Sequence, residues 1–273
     1  MRIRISHQTT FTYSPAARSV IQNLRLTPRS FESQYVLRWR VSVDVDGSLR
    51  QSEDSTGNVT HAFTYQGSIA RFTVAAVGEV STTDAVGVVR GAVEPLPQSM
   101  FLRASPHAQA NAALREFALE AIGATGDTIE RLHRLMTAIH NTIAYEPDAA
   151  EAKGGAPEAF ALRRACAADF AHVFIACARW LDIPARFVSG YLVPEEGPEP
   201  LGLFAWAEAV TPVLGWVAFD PVHDQCADDR YVRVAVGFDS QGAAPFRVSQ
   251  SGGGSETVEA QLRIEQAFGQ SQN

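Results

Sequence analysis

RRACAADFAHVF, Arg163 to Phe174, combines a cysteine, an Asp-Phe pair and a histidine at the head of an apolar run. Phe170, Val173, Phe174, Cys177 and Leu181 step by three and four, which predicts a buried helix beginning near the cysteine. A thiol at a helix N-terminus is where a nucleophilic cysteine gains acidity from the backbone N–H groups. Such chemistry also needs an imidazole to take the thiol proton and a polar group to orient that imidazole.

Working outward, the stretch lies between two kinds of pattern. Upstream, Ile129, Leu132, Met136, Ile139 and Ile143 predict a helix, with Asp127 and Glu130 placed as a capping box. Downstream, ARFVSGYLV, FAWAEAV and GWVAFD read as three strands, and TVEAQLRI as a closing strand. QSGGGS, Gln250 to Ser255, has the composition of a flexible hinge. The first hundred residues alternate with period two. Ile3, Ile5, Phe11 and Tyr13 share one parity, as do Leu37, Trp39, Val41, Val43 and Val45, and then Val59, His61, Phe63 and Tyr65. Pro95, Pro97 and Pro106 mark a linker. The reading is an α+β chain: a β-sandwich-like region over 1–100, then an α+β region over 101–273.

Bulk properties narrow the function. The chain has 273 residues, a formal charge of −7 and 46% hydrophobic residues. An acidic chain without a basic run is a poor partner for nucleic acid. No apolar segment reaches membrane-spanning length and the N-terminus lacks a secretory h-region, so a cytoplasmic protein is expected. The three cysteines, with no CxxC pair, imply free thiols rather than a disulfide framework. No zinc-like spacing and no phosphate loop is present, so neither a metal nor a cofactor is expected.

At this point the sequence resembles the bacterial transglutaminase-like proteins, which join a β-rich N-terminal domain to a papain-like catalytic domain. HQTTFTY and LRLTPR resemble the first; PEAFALRRACAADFAHVFIACARWLDIPARFVSGYL, AWAEAV, GWVAFDP and DDRYVRVAVGFD resemble the second. The family carries its triad in Gly-x-Cys-Gln-Asp-Phe, Ser-His-Ala-Trp-Ala-Glu and Phe-Asp-Pro. With Asp169 and Phe170 as anchor, the nucleophile position is Ala167, the Gln position Ala168 and the glycine position Ala165. With Ala205 to Glu208 as anchor, the base position is Phe204. The third member, Asp220, is retained. Cys166 stands one position early, and one helical step turns a side chain by about 100°.

The resemblance therefore implies a catalytically inactive relative that binds a peptide or protein in a complex. An active relative and an ATP-grasp-type amide-forming enzyme are the partners it suggests. The alternative is an active thiol amidase, protease or transamidase using Cys166, with His223 as substitute base. A further reading is a peptide-binding module that uses a sheet edge. His172 reads as structural, His133 and His140 as helix-surface residues, Cys177 as core and Cys226 as a loop thiol. Asp220, without a histidine in the base position, is expected to hold a structural hydrogen bond.

Overall fold

The computed structural model describes residues 1–194 and 202–267. Its first sheet is built on two long strands, β1 (Arg2–Thr27) and β4 (Val59–Thr82), with β2 (Gln34–Val43) and β3 (Ser48–Glu53) beside β4. Ile3, Ile5, Phe11 and Tyr13 are buried, as their shared parity predicts. Beyond Tyr13 the parity breaks. The β1–β4 register shifts between Thr12 and Ala17 and again before Ser19, and bulges of this kind bend a sheet sharply. Nine residues of straight strand span about 30 Å, yet the rings of Phe63 and Phe72 stand 5.3 Å apart. The sheet thus doubles over a core containing Phe11, Val20, Leu24, Phe63, Phe72 and Val74. A bulge between Val36 and Arg38 also explains why Leu37 leaves the apolar parity and is exposed.

After β5 (Val88–Val89) and a 3-10 turn at Gln98–Leu102 come α1 (Ala112–Ile122), α2 (Thr128–Thr142), β6 (Ala144–Tyr145), α3 (Ala156–Leu162), β7 (Arg164–Ala165) and α4 (Ala167–Trp180). Asp127 caps α2 by accepting the Glu130 N–H at 3.0 Å. The second sheet follows: β8 (Ala185–Leu192), β9 (Phe204–Thr211), β10 (Gly215–Asp220), β11 (Gln225–Cys226) and β12 (Tyr231–Gly237). Its order is β11-β10-β9-β8-β12, with β5 on β10. Residues Asp169 to Arg179 of α4 are all buried, which fits a mostly apolar helix enclosed by its neighbours, with Asp169, His172 and Arg179 hydrogen-bonded inside.

The last strands, β13 (Phe246–Gly252) and β14 (Ser255–Gln266), return to pair antiparallel with β1. The stretch QSGGGS, expected as a hinge, is the turn of this hairpin. The first sheet therefore takes strands from both ends of the sequence. Ile3, Ile5, Val80, Leu262 and Ile264 of that sheet share one core with α4, β8 and β9. Two buried amides strengthen the junction. Gln34 pairs with both backbone groups of Arg233, and Asn58 with both of Val236, at 2.8–2.9 Å. No helix among the described residues is long and apolar enough to cross a membrane.

Candidate functional site

Three element ends meet beside α4. The first is the start of α4 itself. Arg163 adopts a left-handed φ of 57°, which turns the chain out of α3, and β6 and β7 pair in parallel before the helix begins. Cys166 is the residue preceding the helix, with extended backbone. Its thiol makes no capping bond but donates to Asp169 Oδ2 at 3.3 Å. Burial pushes this thiol up to about 11, and the Asp169 carboxylate pushes the same way against the backbone N–H groups that would lower it. Asp169 is itself buried and accepts the Ala152 N–H, which ties the loop before α3 to the helix. Ala167, the nucleophile position of the motif, is the first helical residue and contributes a half-buried methyl group.

The second end is the start of β9. Phe204, in the base position, is 9% exposed. Its ring lies 5.5 Å from that of His223 and 6.4 Å from that of Tyr231. The third end is the close of β10. Asp220 is fully buried and accepts four hydrogen bonds. These come from Val222 N at 2.8 Å, His223 N at 3.4 Å, Tyr231 Oη at 2.5 Å and the His223 imidazole Nδ1 at 2.6 Å. The structural hydrogen bonding expected of Asp220 is present, and it includes a histidine contributed by the following loop. Phe204 and Asp220 are thus brought together through His223 and Tyr231.

Sequence reading missed Tyr145 and Tyr231. Tyr145, on β6, puts its ring 6.4 Å from His223 and 6.1 Å from Phe170. Burial raises its hydroxyl pKa, and the charges of Asp220 and Cys166 add to the effect. Tyr231 was signalled only by its place in DDRYVRVAVGFD. Of the remaining candidates, His172 and Cys177 are fully buried, and His133 and His140 are exposed on α2. Cys226 is half-buried, with its sulfur 3.9 Å from His133 Nε2.

A cleft of about 460 Å³ opens beside these residues. Ala168, Phe187, Leu203, Phe204 and Ala205 form an apolar wall, and His107, Glu151, Ser240 and Gln241 a polar one. Ala168, next to the nucleophile position, and Phe204, in the base position, thus face one cavity.

Comparison with known proteins agrees with this architecture. An uncharacterised protein of Mycobacterium tuberculosis is 28% identical over 271 residues, covering 90% of this chain and 86% of the relative. One from Mycobacterium leprae is 27% identical, covering 96% and 98%. A crystal structure of a candidate cysteine protease from Cytophaga hutchinsonii superposes with a TM-score of 0.75 at 21% identity, over 98% of this chain and 92% of that one, which shows a shared fold. Residues 3–81 match the bacterial transglutaminase-like N-terminal region and residues 115–221 the transglutaminase-like superfamily core. The doubled sheet at the N-terminus and the helix-on-sheet arrangement around Asp220 are therefore those of the transglutaminase-like superfamily, to which this chain belongs.

Proposed function

We propose that this chain is a binding member of its superfamily, holding a peptide or protein segment in the cleft without thiol turnover. The observation that carries this reading is Phe204. It occupies the base position, has no lone pair to accept a proton, and contributes its ring to the apolar wall of the cleft. The methyl of Ala167 and the protonated, Asp169-bonded thiol of Cys166 support the same reading. A polypeptide partner suits a cleft of this volume and mixed lining. An active relative or an ATP-grasp-type amide-forming enzyme is the partner class we infer.

The second reading, an active thiol enzyme, is favoured by one observation. His223 Nδ1 lies 2.6 Å from Asp220, as an oriented base would. The two readings separate in one assay on glutamine-containing peptides. In acyl-transfer triads, loss of the nucleophile or the base costs about 10⁶-fold in turnover, and loss of both costs little more. The native chain is expected to show no turnover above background, while Phe204→Asp weakens binding of the same peptides in calorimetry. Native turnover that disappears on Cys166→Ser would overturn the binding reading. Turnover gained by the double variant Ala167→Cys, Phe204→His would support it.

A further inference from the structure

The polar end of the cleft holds a cluster that the reading above does not use. His107 precedes α1, Glu151 lies in the loop before α3, and His172 is inside α4. Each offers one ligand atom, and the three atoms lie within 4.8 Å of one another. Glu151 Oε1 is 3.1 Å from His107 Nδ1 and 3.7 Å from His172 Nδ1. The two imidazoles stack at 5.3 Å and 27°, and the buried Nδ1 of His172 makes no hydrogen bond. His172 is 0% exposed, so its orphaned nitrogen has no access to bulk water.

We propose that His107, Glu151 and His172 bind one divalent transition-metal ion of the zinc class. Ligands about 2.0–2.1 Å from a tetrahedral zinc stand about 3.3 Å from one another. Two of the three edges, 3.1 and 3.7 Å, bracket that value, and the third is within 4.8 Å. Two imidazoles and a carboxylate form a three-ligand set that leaves a fourth position, and the cleft lined by His107 and Glu151 supplies room for it.

Ser240 makes the proposal more specific. Its N–H donates to His172 Nε2 at 3.0 Å, and its hydroxyl donates to Glu151 Oε1 at 2.6 Å. The first bond places the ring proton of His172 on Nδ1. Coordination through Nδ1 moves that proton to Nε2, so the Ser240 peptide must turn away. Metal loading is therefore coupled to a rearrangement of the turn between β12 and β13.

The test uses the full chain, stripped with a chelator and titrated with Zn²⁺ by calorimetry and with Co²⁺ by visible absorption. The expected result is one ion per chain, Co²⁺ bands of a nitrogen–oxygen site without thiolate charge transfer, and a displaced Ser240 amide resonance in ¹⁵N spectra. Glu151→Gln and His107→Ala, both outside the core, should each weaken binding roughly tenfold or more with folding retained. Cys226→Ser, which removes the thiol beside His133, should leave the affinity unchanged. Absence of stoichiometric binding, indifference to both ligand variants, a thiolate band, or loss on Cys226→Ser would each overturn the proposal. No peptide or turnover enters these measurements, so their failure is distinct from failure of the binding reading.

Discussion

The thiol of Cys166 donates to Asp169 Oδ2, and burial together with that carboxylate holds it up to about 11. A thiol of this kind alkylates slowly at neutral pH, because only the thiolate reacts. Iodoacetamide labelling of Cys166 should keep rising with pH beyond the ordinary thiol range of about 8.5. Asp169→Asn, which removes the neighbouring charge, should speed labelling at pH 8 several-fold. A labelling midpoint at or below 7 in the native chain would show an activated thiol instead. At this scale the sequence was informative about position and silent about partners. The places of Ala167 and Phe204 follow from intact neighbouring motifs. The contact of His223 with Asp220 depends on the path of the loop after β10, which no local pattern encodes.

Glu208 closes the Ala-Trp-Ala-Glu stretch of β9, and its role is to hold elements together. Its fully buried carboxylate accepts Arg186 Nε from β8 at 2.6 Å and Arg233 Nε from β12 at 2.7 Å. Arg186 in turn pairs with Glu94 through both terminal nitrogens and stacks on Trp216 at 3.8 Å. Three strands and the segment before the first 3-10 turn are thereby joined behind Phe204. Glu208→Gln leaves buried guanidinium groups short of a counter-charge, a change that costs about 3–5 kcal/mol. Urea unfolding should show this loss, with the midpoint lowered and the slope unchanged. Helices and catalytic-region strands were legible because their apolar periods are regular. The lengths of β1 and β4 were not, because bulges at Ala17 and near Ile69 change parity in mid-strand and imitate a strand end.

The molecule as a whole buries neutral histidines in both of its sheet-bearing halves. Burial lowers His7, whose Nδ1 lies 3.1 Å from the Tyr191 hydroxyl across the junction, to about 4, and His172 to about 3. Unfolded, each would titrate near 6.5, so between that pH and the folded value the unfolded chain binds more protons. The contribution of these two rings to stability is complete well above pH 6.5 and falls as the pH drops, by about 3 kcal/mol for each imidazole at pH 4. Unfolding free energies measured from pH 7.5 to 4 should decline through this window, and a flat profile would contradict the burial of these rings. The α+β class was legible from the change of period near residue 100. The return of β13 and β14 to β1 was not, because pairing between distant segments leaves no local trace. That return has a consequence for biosynthesis. Emerging from the ribosome, β1 comes first, but the strands that cover its edge, β13 and β14, come last. Until then an unpaired edge of a long strand with one apolar face is open to other nascent chains. A chain stopped at residue 245 should be recovered in inclusion bodies, and co-expressing residues 246–267 as a separate peptide should return part of it to the soluble fraction.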